Sequence, residues 1–320
     1  MNDEEKSALH AQAIREFDEI YEGVRDQREQ CRQDRRFFSI DGAQWEGPLA
    51  VQFENKAKFQ VDKVHLSVIR IFSEYRNNRI TVDFTPKDGL GNDEIADYCD
   101  GMFRADYVDS RAEEAFDNAF EEAVGGGLGG WRLSTEYVDE SDDEDERQRI
   151  VFDPIFDADT SIYFDLGAKR QDKSDATKCF LLTGMPVDDY KEEYGDDPTS
   201  WPKRQSDQFS WSTPDFVYVA EYFVVETVPH TVEVWLDVAG DEKRYTTEHF
   251  EADPGLKGKL VSLGSKLLRE KKVKRKKVRK YIMSGSQILE DCGIIAGDFI
   301  PVVPVYGKRW YVDGVERCMG

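Results

Sequence analysis

The sequence predicts an α+β fold, with a helix-rich first part followed by a β-rich second part that carries one amphipathic helix. Apolar residues recur at three- and four-residue spacing early in the chain, and they alternate with polar residues after about residue 215. A stretch rich in Pro, Ser, Trp and charge separates the two patterns at residues 197–214. At 320 residues, the chain is long enough for about two domains.

Composition restricts the class of protein. Aromatic residues make up 12% of the chain, which indicates a globular protein although 34% of the residues are charged. The net charge of -22 argues against indiscriminate coating of nucleic acid, because most of the surface repels phosphate. The five cysteines are scattered and odd in number, which favours reduced thiols over a disulfide framework. No signal peptide is predicted, and no apolar run reaches the ~18 residues of a membrane span.

Three helices are predicted in the first part. They cover Ser7–Arg36, Asp62–Asn77 and Asn92–Val124. The first has an apolar stripe that includes Ile14, Phe17 and Ile20, which would face the core. In the third, Asn92 is expected to cap the N-terminus and a kink is expected near Gly101.

The segment Gly125–Gly130 formally matches G-x-G-x-x-G. A dinucleotide-binding fingerprint follows a strand and opens a helix, whereas here a helix precedes the glycines and the strand Trp131–Val138 follows them. The segment is therefore interpreted as a flexible helix-to-strand corner. The acidic run Asp139–Glu146 is expected to form the tip of a hairpin whose second arm is Ile150–Phe152. Its residues do not match the spacing of a calcium-binding loop.

Shorter elements complete the prediction on both sides of the connection. In the first part, strands are expected at Ile80–Phe84, Ser161–Phe164 and Lys178–Thr183, a turn at Pro86–Gly89 and a helix at Pro186–Tyr194. In the second part, two β-rich runs, Asp215–Val228 and Val232–Val238, are expected to meet at Pro229-His230, and Tyr245–His249 to continue the sheet. The amphipathic helix is predicted at Leu256–Leu268, with Asp253 as its cap and Pro254 at its first position.

The segment Arg269–Lys280 holds nine cations and one anion, in a chain whose net charge is strongly negative. If Val273–Ser284 is extended, these cations lie on both faces of a strand. Two interpretations stay open: the segment offsets neighbouring negative charge, or it meets nucleic acid or an acidic partner. Contact with phosphate or acidic side chains is favoured over base recognition, because no aromatic lies among the cations. The candidate contact residues are Lys271, Lys272, Lys274, Arg275, Lys276, Lys277, Arg279 and Lys280.

Signals for catalysis are weak. The four histidines form no H-E-x-x-H or cysteine/histidine metal pattern, and the sequence has neither G-x-S-x-G nor G-x-x-x-x-G-K-[ST]. His65, on an apolar helix face, is expected to be a packed core residue. No catalytic residue, cofactor or metal ligand is predicted.

Short blocks along nearly all of the chain form a recognisable set. In chain order they are Phe37-Phe38-Ser39 with Gln44-Trp45, Pro86–Gly89, Gly129–Leu133, Asp172–Ala176, Ala220–Glu226, the basic segment, and Ile295–Gly297 with Ile300–Gly307. Their order and spacing resemble the portal protein of short-tailed bacteriophages, of the enterobacterial podovirus type.

The resemblance implies a structural subunit without catalysis. Portal proteins of this type form a ring, usually of twelve identical subunits, at one capsid vertex. The family ring conducts double-stranded DNA, docks the packaging terminase during filling and later holds tail proteins. Scaffold and coat proteins are further implied partners, and the implied location is the virion, with the host cytoplasm during assembly. The terminase supplies the energy for packaging, which agrees with the missing nucleotide-binding motif.

The resemblance also implies how the chain is organised. Residues 1–196 would form the α/β body or wing, residues 197–214 a connection, and residues 215–320 a β-rich module on the clip and stem side. Family members are much longer and continue into channel helices, crown and barrel, so the chain resembles their N-terminal portion. The alternative functions are a phage nucleic-acid-binding module and a metal-dependent DNA enzyme that uses the acidic clusters.

Overall fold

A computed structural model describes residues 2–79, 81–86, 92–139, 147–201, 209–237, 240–312 and 314–320, and it confirms the predicted α+β class. The helices of this described part are α1 (Asp3–Ser39), α2 (Pro48–Gln52), α3 (Val64–Asn77), α4 (Asp93–Asp109), α5 (Ala112–Gly126), α6 (Ala158–Ser161), α7 (Val187–Tyr194), α8 (Thr247–Ala252) and α9 (Leu256–Ser262). The strands are β1 (Leu128–Tyr137), β2 (Gln148–Pro154), β3 (Ile162–Phe164), β4 (Lys178–Pro186), β5 (Phe216–Leu236), β6 (Glu242–Thr246), β7 (Lys266–Met283), β8 (Ile288–Ile295), β9 (Val302–Tyr306), β10 (Lys308–Val312) and β11 (Val315–Met319).

Helix α1 confirms the first predicted helix and extends beyond it at both ends. Its N-terminus is a capping box, in which the Asn2 side chain accepts from the Glu5 backbone N–H and the Glu5 carboxylate accepts from that of Asn2. The predicted stripe residues Ile14, Phe17 and Ile20 are buried. They pack against aromatic side chains of the sheet that contains β4 and β5, which places one of the hydrophobic cores there.

The third predicted helix is two helices. The helix is interrupted at Arg111, whose left-handed backbone (φ 53°) separates α4 from α5. The interruption therefore lies at Arg111, and Gly101 lies inside α4. The expected cap is confirmed, because the Asn92 side chain accepts a hydrogen bond from the Glu94 backbone N–H at 3.0 Å.

The glycine segment is confirmed as a helix-to-strand corner, and close packing explains its composition. Gly127 has φ +95°, and a Cβ there would lie 2.6 Å from the Met319 backbone nitrogen. A Cβ on Gly129 would lie 1.8 Å from the Ala119 carbonyl oxygen. Only glycine allows the chain to turn and approach its neighbours this closely.

Two sequence predictions partly lie outside the described residues. The second hairpin arm is confirmed, since β1 and β2 pair from Trp131↔Pro154 to Tyr137↔Gln148. Residues 140–146, the predicted hairpin tip, are not among the described residues, nor are residues 87–89 of the predicted turn. The strand predicted at Ile80–Phe84 is wrong for residues 81–84, which the structure describes outside any strand.

One sheet spans the predicted connection. Its strand order is β3-β4-β5-β7-β8, with β6 also on β5, and β4 pairs with β5 from Lys178↔Val224 to Pro186↔Phe216. The two parts predicted on either side of residues 197–214 therefore share one sheet, in which β5 runs antiparallel to β4. Trp211, within it, is only 5% exposed and packs in the α1 core. The naming of the two sides as wing and clip-side module stays a prediction.

Strand β5 is continuous through Pro229, so the two runs predicted to meet there are one strand. Thr231 donates its backbone N–H to the Thr247 hydroxyl and Val225 donates to the Thr177 carbonyl, both away from β7. Pro229 lies at an alternate position of the same strand, so its nitrogen also faces away from β7. The absence of an N–H there removes no hydrogen bond between β5 and β7.

The predicted amphipathic helix is correct in place and wrong in length. Helix α9 ends at Ser262, because Gly264 adopts φ +80°, and the chain then enters β7. The predicted cap is wrong, because Gly255 occupies the cap position of α9 and Pro254 precedes the helix. Asp253 instead accepts a hydrogen bond from the Gly255 backbone N–H at 3.0 Å, ahead of the helix. The strand predicted at Tyr245–His249 ends at Thr246, and α8 begins at Thr247.

Candidate functional site

The basic segment lies in β7, and the predicted extended conformation is confirmed through Met283. Strand β7 pairs with β5 along its length, whereas β8 pairs only with Val278–Met283 of β7. Residues 266–277 of β7 therefore form an edge of the sheet within the described part of the chain. We call these residues, together with residues 226–236 of β5, the basic ribbon.

Burial changes along β7 and divides the eight candidate residues into two groups. The exposed group is Lys271, Lys272, Lys274, Arg275 and Lys276. The half-buried group is Lys277, Arg279 and Lys280. Exposure therefore falls as the strand passes from the ribbon into the interior of the sheet.

The last two cations are neutralised inside the sheet. Arg279 makes a two-pronged ion pair with Asp291 of β8, at 3.2 Å from Nε and 2.7 Å from Nη2. This hydrogen bond raises the pKa of Arg279 and lowers that of Asp291. Lys280 lies 2.8 Å from Glu221 of β5. These two contacts explain the positions of Arg279 and Lys280 without an external partner.

The odd-numbered face of the ribbon is partly compensated by helix α8. Glu248 lies 3.7 Å from Arg275 and 3.6 Å from Lys277, which are long contacts between partly exposed groups. Helix α9 is attached to the same ribbon, since Lys257 forms an ion pair with the buried Glu233 carboxylate.

The even-numbered face carries a row of exposed lysines. Lys272, Lys274 and Lys276 lie on one face because side chains alternate along a strand. Their register partners on β5 are Thr231, Pro229 and Thr227, in that order, and partners directly opposite share the same face. These three partners are uncharged, so no carboxylate lies directly opposite the three lysines. The next β5 residue on this face, Glu233, lies opposite Glu270 and pairs with Lys257. We call the three lysines the lysine stripe.

Within the described residues, Lys274 and Lys276 have no carboxylate within ion-pair distance, and Lys272 pairs only with Glu270 at 3.4 Å. Lys272 is 78% exposed and Glu270 41%, so water and salt screen this pair strongly. Lys271, on the other face, likewise has no ion pair with a described residue. The stripe is thus the part of the candidate site whose positive charge stays available to an external anion.

The sequence indicated the cations but not the residues that determine which of the cations are neutralised. Asp291, Glu221 and Glu248 reach β7 from different elements, and the uncharged stretch of β5 matters only because of its register. The alternation of β7 predicted the two faces, but the strand opposite could not be predicted from spacing alone.

The described part of the chain holds no group of three or more His, Cys, Asp or Glu side chains placed to bind a metal ion. None of its helices combines the length and the apolar character that crossing a bilayer requires. His65, expected in the core, is exposed on α3, so that expectation is wrong.

Comparison with known proteins identifies the family. The family model described as "Phage P22-like portal protein" matches residues 14–320. The chain belongs to this family. It is also 36% identical over 323 residues to the portal protein of Acyrthosiphon pisum secondary endosymbiont phage 1, across 97% of this chain and 44% of that relative. The chain therefore spans less than half the length of this portal protein, and the resemblance to portal proteins is confirmed.

Several blocks that carry the resemblance meet in space in this portal-family chain. Strand β9, from the block Ile300–Gly307, pairs with Leu128–Arg132 of β1, in the block that includes Gly129-Gly130-Trp131. The block Ala220–Glu226 pairs with Lys277–Met283 at the end of the basic strand. These blocks thus form strand pairs that join distant parts of the chain.

Proposed function

We propose that this portal-family chain acts as a structural subunit of a phage capsid vertex, in a ring of identical subunits through which DNA is packaged and ejected. The ring docks terminase and tail proteins, contacts scaffold and coat protein, and works without catalysis by this chain. It belongs to the virion and assembles in the host cytoplasm. Family membership across residues 14–320 supports the portal role.

The lysine stripe is the observation that carries the proposed contact with a polyanion. Three cations spaced by about 7 Å along a paired strand present charge without a carboxylate directly opposite any of them. A ring repeats each stripe once per subunit, so that local patches become a positive collar. Lysines with no aromatic among them suit phosphate or acidic side chains better than bases.

A different role for the stripe follows from its position on an edge of the sheet. Lysines on an exposed edge strand prevent pairing with strands of other molecules. Their removal would then promote aggregation and leave anion binding unchanged. The two roles therefore differ in what a charge-removing variant does.

Removal of the stripe is expected to weaken binding to DNA. The variant Lys272→Ser, Lys274→Ser, Lys276→Ser should bind duplex DNA at least about tenfold less tightly at low salt, because its binding releases fewer counterions from the DNA. The slope of log affinity against log salt concentration should become shallower by up to about 3 for each bound subunit. Fluorescence anisotropy of a labelled duplex over a salt series measures both quantities.

A matched variant removes the same charge elsewhere. Lys6→Ser, Lys169→Ser, Lys308→Ser changes the net charge equally, and it should keep nearly all of the affinity and slope. If both variants weaken binding alike, only net charge matters and the stripe has no special role. If neither binding to DNA nor docking of terminase falls in the stripe variant, the edge-protecting role is correct. Cleavage of the duplex with Mg²⁺, lost on substitution of one carboxylate, would instead support the enzyme alternative.

Exposed apolar side chains on two helices support assembly with identical subunits. Helices α3 and α4 bury no side chain completely. Large apolar side chains exposed on them are Val64, Leu66, Ile69, Ile71, Ile95, Tyr98, Met102 and Val108. Large apolar side chains left exposed in this number mark interaction sites. We infer that neighbouring copies of the chain cover the exposed apolar side chains of α3 and α4 in the ring.

A further inference from the structure

Two buried thiols from opposite ends of the chain are in contact. Cys31 lies on α1 and is fully buried, and Cys318 lies on β11 and is 8% exposed. Their sulfur atoms are 3.7 Å apart although 287 positions separate them in sequence. The Gln27 side chain amide donates to the Cys31 sulfur at 3.3 Å and to the Cys318 carbonyl oxygen at 2.7 Å.

Close backbone packing fixes strand β11 beside this pair. A Cβ on Gly307 would lie 2.7 Å from the Met319 carbonyl oxygen, and one on Gly320 would lie 2.1 Å from that of Val124. A Cβ on Gly126 would lie 3.0 Å from the carbonyl oxygen of Cys31 itself. Residues at the end of α5 therefore fix the positions of both α1 and β11 at the two sulfur atoms.

The pair shares one hydrogen bond between its sulfur atoms. The hydrogen bond from Cys318 lowers the pKa of Cys31 to about 7, with further help from Gln27 and the positive charge of Arg28. The same hydrogen bond and burial raise the pKa of Cys318. Deprotonation of the pair is therefore favoured at Cys31 rather than at Cys318, and the thiolate is the nucleophilic form of a cysteine.

We propose that Cys31 and Cys318 are a site of covalent modification, where a peroxide converts the two thiols into a disulfide that joins the first helix to the last strand. The Cys31 thiolate attacks a peroxide oxygen; the S–O bond forms, the O–O bond breaks and hydroxide leaves. Cys318 sulfur then attacks Cys31 sulfur; the S–S bond forms and the S–O bond breaks. The second hydroxide takes the Cys318 proton as water, and the peroxide is the oxidant that accepts both electrons.

The remaining cysteines make a useful contrast. Cys179 is fully buried and burial raises its pKa, so it is a poor nucleophile. Cys99 and Cys292 are partly exposed and are the thiols most open to reagents in solution. Selectivity for the Cys31–Cys318 pair therefore has to come from contact between the two sulfurs and not from accessibility.

Peptide mapping tests the proposal on the complete chain. The folded protein is treated with a small excess of hydrogen peroxide, remaining thiols are blocked with N-ethylmaleimide in denaturant, and the digest is analysed without reductant. The expected product is a Cys31–Cys318 linked peptide, formed in the folded protein and not in a sample unfolded in urea. In the background Cys99→Ser, Cys292→Ser, oxidation should raise the melting temperature by on the order of 5 °C, and a reductant should reverse it.

Each outcome decides for or against the site. In the same background, Cys318→Ala should show neither the linked peptide nor the rise in melting temperature. Oxidation of Cys99 and Cys292 without a Cys31–Cys318 link in the folded wild-type protein would overturn the proposal, and this observation needs no variant to fold. A link that forms equally in urea would also overturn it, because the folded geometry would then have no part in the reaction.

Discussion

Truncation of Phe17 to alanine is expected to lower the free energy of unfolding by about 3–5 kcal/mol. Phe17 is fully buried where α1 packs on the large sheet. Its ring centroid lies 5.0 Å from that of Trp211 and 5.3 Å from those of Tyr163 and Phe180. The substitution removes these aromatic contacts and leaves a cavity that rigid neighbours cannot fill. Urea unfolding followed by fluorescence measures the loss.

An exposed phenylalanine provides the control for this prediction. Phe299 is 58% exposed, so Phe299→Ala should change the free energy of unfolding by no more than about 0.5 kcal/mol. Equal effects of the two substitutions would show that α1 is not fixed on the sheet through Phe17.

Replacement of Glu316 by methionine is expected to cost about 3 kcal/mol of stability. Glu316 of β11 lies 2.9 Å from the buried Lys173 ammonium and also pairs with Arg309. Lys173 further donates to the Ala168 carbonyl oxygen at 2.8 Å. Burial lowers the pKa of Lys173, so its charge depends on the carboxylate. The single variant leaves that ammonium buried without an anion, and urea unfolding again measures the result.

The partner variants should follow a definite order. Lys173→Met should cost less than Glu316→Met, because Arg309 still pairs with the carboxylate. The double variant should recover much of the loss, since an apolar pair replaces a buried ion pair at little cost. Additive losses in the double variant would contradict a direct Lys173–Glu316 interaction.

The dependence on pH has a definite sign. Burial raises the pKa of Glu316, but the Lys173 and Arg309 contacts outweigh it and hold the value below the ordinary 4.5. The carboxylate therefore stabilises the folded state above the ordinary value, and this contribution is lost as pH falls through the folded pKa. The stability difference between wild type and Glu316→Met should be constant above about pH 5 and shrink below about pH 4.5.

Local features of this chain were predictable from sequence. Helix α1 followed from the spacing of Ile14, Phe17 and Ile20, and the Asn92 cap from its side chain, because both depend on residues within one or two turns. The glycine corner followed from element order. These signals do not require knowledge of which distant segments pair.

The wrong predictions concern features that no local sequence pattern indicates. Arg111 takes a left-handed conformation that no local pattern indicated, so one predicted helix became two. The pairing of β4 with β5 joined segments that a change in composition had separated. The basic segment was recognised, but Asp291 and the uncharged stretch of β5 decide which cations stay available, and their positions depend on strand register.

Mass and shape in solution test the ring most directly. Light scattering and negative-stain electron microscopy of the purified chain should show closed rings whose mass is a whole multiple of 36.8 kDa. The variant Leu66→Ser, Met102→Ser, on α3 and α4, should shift the material to small species, whereas Ile294→Ser, Phe299→Ser, at two other exposed positions, should not. A wild-type chain that stays monomeric at every concentration would contradict assembly through these helices and, with it, the proposed ring of these chains.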